Sequence, residues 1–199
     1  KLTLRANDFV LTPNGTWHEH GVASDGTPCI WQDGLDIPLM NSLDANFYEV
    51  HPKVVQTPAP LSRENWTKPY SPQFQYRWDD AYRAVKDAPW SPCDGRVYEY
   101  RNPLTSGPIM PTIGAQLQLL AKGETTRTHR HTGSVIYQVA QGRGWSEIAG
   151  ERFEWEEKDI FALPSWALHR HGAHEEAVLF SFNDIPAMKA LALYREAGE

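Results

Sequence analysis

Three shortages bound this sequence before any motif is read. Of 199 residues only Cys29 and Cys93 are cysteine. Two cysteines make no disulfide framework, so both are expected as reduced thiols of a cytoplasmic protein. No apolar run approaches the roughly 18 residues of a spanning helix, and no basic-then-apolar leader pattern opens the chain, so no membrane is expected as a partner. Basic charge is also short. Lys and Arg number 19 against 25 Asp and Glu, a net charge of −6, which argues against a nucleic-acid groove or an anionic lipid surface. What the chain has in quantity is apolar (41%) and aromatic (12%) residues, which argue for a packed core and against disorder. A chain of this length buries roughly 70% of its unfolded surface and needs no staple to fold.

The chain repeats itself. Asp8, Pro13, His18, His20 and Gly21 recur at one constant offset as Asp159, Pro164, His169, His171 and Gly172, and Asp36-Ile37-Pro38 recurs as Asp184-Ile185-Pro186. Fixed-offset self-similarity marks duplicated architecture. The second copy follows a long apolar-alternating stretch, about residues 96–158, whereas the first has seven residues before it and starts on Lys1. Residues 1–45 therefore read as the second half of one domain and 93–199 as the whole of another, the chain being part of something longer.

Between them, residues 46–92 hold Pro52, Pro58, Pro60, Pro69, Pro72, Pro89 and Pro92 together with Trp66, Tyr70, Phe74, Tyr76, Trp78, Tyr82 and Trp90. Proline removes backbone donors and excludes a central sheet. So many aromatics argue for an ordered connector packed on its neighbours, with one short helix over 80–87 capped by Asp79. Beyond residue 96 the pattern is short strands punctuated by Gly and Pro: 115–121, 134–140, 144–148, 160–163 and 177–182. That spacing predicts an all-β sandwich or barrel. A last helix is expected from Pro186 to Arg195.

Six of the eight histidines form His-x-His pairs: His18/His20, His129/His131 and His169/His171. Residues two apart on a strand share a face, so one pair can clamp a metal with both rings. His129 and His131, joined by His169 from a later strand, make a three-imidazole set that leaves positions open for substrate. His51 and His174 have no such context and are expected at the surface.

These spacings resemble the cupin family of double-stranded β-helix (jelly-roll) barrels. Gly123, His129, His131 and Gly142 match its first motif; Pro164 with His169, and Pro13 with His18, match its second. Lys158 and Asn7 stand where the second motif opens with Gly, and Val135 stands where many cupins carry a glutamate ligand. Within cupins, residues 7–20, Ile30 to Leu39, Arg101-Asn102-Pro103, Pro111-Thr112-Ile113, Pro164-Ser165-Trp166 and Leu193 to Glu196 resemble gentisate 1,2-dioxygenases, a group that includes salicylate and 1-hydroxy-2-naphthoate dioxygenases. The resemblance implies a bicupin whose N-terminal barrel is truncated in this chain, with short helices in the connector and at the C-terminus.

The resemblance further implies a non-haem Fe(II), O2 as co-substrate, and ring cleavage of a small hydroxylated aromatic acid, foremost gentisate to maleylpyruvate. His18 matches the third iron ligand of the N-terminal barrel, and His20 and Asp33 match polar residues on the substrate side of its pocket. In the second barrel His129, His131 and His169 supply a full metal set, but Tyr137 stands where the carboxylate-binding arginine is expected. Tyrosine donates one hydrogen bond and cannot neutralise a carboxylate. Arg130 should point away from His129 and His131, and Arg127 shares their parity. A half barrel exposes sheet edges, so a homo-oligomer, or a complex with the missing N-terminal segment, is expected. The alternative function is a truncated, non-catalytic metal-binding cupin module.

Overall fold

The computed structural model describes residues 1–22, 26, 28–53, 57 and 66–198. Its elements run, in chain order, β1 (Phe9–Val10), α1 (Ile37–Ser42), β2 (Gln75–Tyr76), α2 (Trp78–Asp87), β3 (Trp90–Ser91), β4 (Gly95–Glu99), β5 (Gly114–Leu120), β6 (His129–His131), β7 (Val135–Gln141), β8 (Arg143–Ile148), β9 (Glu151–Glu156), β10 (Ile160–Leu163), β11 (His169–Ala173), β12 (Ala177–Asn183), α3 (Ile185–Ala190) and β13 (Glu196–Gly198). Beyond residue 90 these strands form two antiparallel sheets, ordered β10-β7-β12-β5-β4-β3 and β13-β6-β11-β8-β9. This is the all-β barrel expected from the strand spacing. The five expected strands are all present, displaced at their ends by a residue or less.

Two cores flank the larger sheet, and they explain its strand sequences. Leu120, Val135, Tyr137, Val139, Leu163, Ala177 and Leu179 pack inside the barrel with Ile148, Trp155 and Ala173 of the smaller sheet. Ala115, Leu117, Leu119 and Val178 face the other way, onto Ala81 and Val85 of α2 and onto Leu11, Tyr76, Tyr100 and Ile109. A strand covered on both faces loses strict polar alternation, which is why β12 reads as a nearly continuous apolar run, while β5 keeps Gln116 and Gln118 between its apolar residues. The aromatic part of the connector supplies that outer cover. Trp78 and Tyr82 pack against the outer core, as does Phe9 of β1. β1 pairs with β2. Pro58 and Pro60 lie outside the described residues.

Several local expectations shift, each for a physical reason. Near the N-terminus the chain forms a strand at Phe9–Val10, where β2 offers a partner. Helix α2 starts two residues early, at Trp78. Its first N–H donates to Asp8 Oδ1 at 2.9 Å, so the cap comes from far along the chain and Asp79 is free to sit in the first turn. Helix α3 stops at Ala190 rather than Arg195. Ala192 takes a positive φ, and the chain leaves the helix to form β13, pairing Glu196 with His131 and Gly198 with His129.

The two repeat copies share a turn. Asp8 Oδ2 accepts the Arg5 N–H at 3.0 Å, and Asp159 Oδ2 accepts the Glu156 N–H at 2.9 Å. The preceding residues, Asn7 and Lys158, both have positive φ (62° and 81°). That conformation favours glycine, which is the residue the motif carries at this position elsewhere.

Candidate metal centre

His129 and His131 project from β6 and His169 from β11, where His169 stands directly opposite His129. The ring centroids of His129 and His169 are 4.1 Å apart, those of His131 and His169 5.3 Å. One ring nitrogen of each histidine lies within 4.8 Å of the other two. His129 and His169 are buried and His131 partly so.

The backbone sets the ring orientation. Nδ1 faces the carbonyl of Arg127 in His129 (3.3 Å), of Thr132 in His131 (3.2 Å) and of Ala167 in His169 (3.0 Å). A carbonyl only accepts, so each Nδ1 carries a proton, and in the neutral ring Nε2 keeps its lone pair. That is the tautomer a metal needs, fixed by groups outside the ligand set. The donor set therefore fits a divalent ion. The turn between β10 and β11 braces two of the three ligands. Trp166 N–H donates to His131 O at 2.7 Å, Ser165 Oγ accepts the Gly133 N–H, and Ala167 holds His169.

Burial sets the protonation states. It pushes His169 down to about 4, helped by the positive charge His129 can carry. Burial likewise lowers His131. His129 differs: burial pulls it down, but contact with the Asp94 carboxylate more than compensates and leaves it raised. Asp94 Oδ1 lies 3.4 Å from His129 Nε2. No sequence spacing marked Asp94. It sits between β3 and β4, outside both repeat motifs, and only the fold brings it to the cluster.

His171, the fourth histidine of this barrel, points elsewhere. Its Nδ1 is 2.7 Å from Ser146 Oγ, which also accepts the Trp155 Nε1–H at 2.9 Å. The Ser146 hydroxyl, with one proton and two lone pairs, therefore pairs with both rings at once. Burial pushes His171 down to about 3 and keeps it neutral. Its Nε2 has no hydrogen-bond partner among the described residues. Tyr137, expected in the position of a carboxylate anchor, is buried with its ring 5.1 Å from that of His171, and burial raises its phenol pKa. Arg130 points away from the cluster, as its parity requires, and lies 4.7 Å over the Trp166 ring. Arg127 is exposed.

The first-copy residues are not drawn into this cluster. His18 and His20 lie in extended chain outside any strand, exposed, with their rings 5.4 Å apart. His20 stacks on Trp31 at 4.8 Å, and Asp33 is exposed nearby in sequence. Among the described residues, no strand pairs with 14–22. His174 is exposed and His51 partly so.

A cupin-domain family model matches residues 116–183, the span from β5 through β12. The 5-aminosalicylate 1,2-dioxygenase of Comamonas sp. is 37% identical over 98% of this chain. Over nearly its whole length the chain is similar to dioxygenases of aromatic acids. Gentisate 1,2 dioxygenase 1 of Aquipseudomonas alcaligenes is 35% identical over 99% of the chain. The chain spans 57% of the first relative's length and 62% of the second's. Among solved structures, a salicylate 1,2-dioxygenase from Pseudoaminobacter salicylatoxidans, described as adducts with gentisate, superposes with a TM-score of 0.74 and 29% identity. It covers 82% of this chain and 52% of its own. The matched span forms a cupin barrel with three converging histidines.

Proposed function

We propose that this chain is part of an Fe(II)-dependent dioxygenase that cleaves the ring of a small hydroxylated aromatic carboxylate, foremost gentisate to maleylpyruvate. The observation that carries the reading is the 35–37% identity, over nearly the whole chain, to dioxygenases of aromatic acids. Residues 1–45 are read as the trailing half of the first barrel, 46–92 as the connector and 93–199 as the second barrel.

Two sites follow. In the first barrel His18 is a metal ligand, while His20 and Asp33 supply hydrogen bonds on the substrate side. His20 is suited to this because its stack on Trp31 holds the ring plane. In the second barrel His129, His131 and His169 hold a divalent ion through Nε2. Iron in such a neutral-histidine setting supplies adjacent open positions at which O2 and a chelating hydroxy-acid can meet. An oligomer, or association with the remainder of the polypeptide, completes the first barrel.

The test is intact mass, metal analysis and a gentisate ring-cleavage assay on one preparation of the protein as the cell makes it. Iron with turnover, lost in His18→Ala, is the expected result. A metal-loaded protein without turnover on gentisate, salicylate or hydroxynaphthoate overturns it in favour of a non-catalytic metal-binding module. His131→Ala is expected to lower the metal content by the second barrel's ion; unchanged content removes the three-histidine assignment.

A further inference from the structure

We propose that Asp94 is the fourth protein ligand of the ion held by His129, His131 and His169. The inference rests on the three-histidine reading above and adds to it a carboxylate from outside the barrel motifs. Asp94 Oδ1 is 3.4 Å from His129 Nε2, the nitrogen left free when Nδ1 turns to the Arg127 carbonyl. A carboxylate oxygen and an imidazole lone pair are both acceptors. Facing each other, they need either a proton on Nε2 or a metal ion between them, and an ion held by the three histidines would satisfy both at once. The spacing to His129 suits this. Donors about 2.1 Å from one ion stand roughly 3.0–3.4 Å apart for octahedral to tetrahedral angles.

The position of Asp94 is built rather than incidental. It lies in the short turn between β3 and β4. Cys93 N–H donates to Ser91 Oγ at 3.2 Å inside that turn. The Arg127 N–H donates to Pro92 O at 2.7 Å, tying the turn to the segment that leads into His129. Gly95 then exits at φ +66°, where a Cβ would lie 2.8 Å from the Leu119 carbonyl, so only glycine makes the turn here. The Asp94 side chain keeps 38% of its exposure, placing it at the mouth of the cluster. Of the other acids near the histidines, Glu196 is occupied by a 2.9 Å hydrogen bond from the Tyr194 hydroxyl.

A fourth donor changes what the site can bind. Three histidines leave three positions on a six-coordinate ion, enough for a chelating hydroxy-acid and O2 together. With Asp94 bound, two remain, and the carboxylate opposes the approach of an anionic ligand. The second-barrel ion is then a tightly held centre with chemistry distinct from the site at His18.

Co(II), titrated against a chelating dye, tests this on the full protein in a His18→Ala background, which leaves the second barrel's ion to be counted. Asp94→Asn keeps the turn preference and the shape while removing the charge. It should weaken Co(II) binding at least tenfold and alter the visible d–d band, with the metal-free melting temperature unchanged. Asp94→Ser is carried alongside, and the binding result is taken from whichever variant melts like the parent without metal. If His131→Ala loses Co(II) while the Asp94 variant binds within threefold of the parent with the same band, Asp94 is not a ligand and the three-histidine reading stands. If His131→Ala also retains Co(II), the three-histidine reading falls and Asp94 with it.

Discussion

At the residue scale, backbone carbonyls and one serine orient four imidazoles of the barrel, three of them buried and that of His131 partly so. Three histidines have Nδ1 on a backbone carbonyl; His171 has Nδ1 on the Ser146 hydroxyl. The sequence pattern His-x-His cannot tell His169 from His171, because both lie on one face of β11. The neighbour opposite decides: His169 meets His129 and Ile148, whereas His171 meets Ser146. Ser146→Ala strands both the Trp155 indole N–H and His171 Nδ1 in the interior. A buried group left unpaired costs about 1–3 kcal/mol, so urea denaturation should show a loss of about 2 kcal/mol or more. Metal binding at the other three histidines should survive.

At the element scale, two contacts across long sequence distances hold segments that local propensity leaves loose. Asp8 accepts hydrogen bonds from the N–H groups of Arg5 and Trp78 and from the side chains of Gln75 and Arg77, and its own side chain is 2% exposed. It joins the N-terminal segment to β2 and α2 and caps the helix. Asp8→Ala should cost about 1–2 kcal/mol, the scale of a lost cap. Burial alone would raise the Asp8 pKa, but the hydrogen bonds outweigh it and hold it below the ordinary 3.8. A depressed folded-state pKa stabilises the fold above that pH and loses the contribution as pH falls through the folded value. The stability gap between wild type and Asp8→Asn should therefore be full at pH 7 and close below pH 3.8.

The second contact is Gly172, which the sequence marked only as a repeated residue. It stands opposite Trp145 in the β11–β8 register, and a Cβ there would lie 2.3 Å from the indole. Trp145 cannot easily yield, since Arg152 lies 4.0 Å and Arg170 5.5 Å over its rings. Gly172→Ala should destabilise by about 1–3 kcal/mol, the usual range for overpacking, with thermal melting as the readout. A variant that melts like wild type would show that the indole has room to move.

At the scale of the whole molecule, the two parts of the chain differ in how well they are covered. From β3 onward the apolar side chains gather into two cores, one of which also takes in Leu11, Tyr76, Ala81 and Val85. Before it, Ile30 is 98%, Tyr48 89% and Phe47 81% exposed. Apolar surface of that kind marks an interaction face or an aggregation hazard. The 199-residue chain made alone should self-associate at micromolar concentration. Phe47→Glu should shift it toward the monomer in sedimentation velocity; no change would place the contact elsewhere. Among the described residues no helix is long and apolar enough to cross a membrane.

The sequence by itself determined what depends on near neighbours. Alternation and punctuation set the strands of the barrel, the Asp-x4-Pro-x4-His spacing set the repeat, and period two put His129 and His131 on one face. Each is read within a few residues because strand geometry has a fixed short period. Only the tertiary structure decided which groups from distant segments meet: Asp8 beneath the first turn of α2, Ser146 against His171 but not His169, and Asp94 against His129. Hydrogen bonds and charges act over a few ångströms of space, and no pattern along the chain records which residues the fold will bring that close.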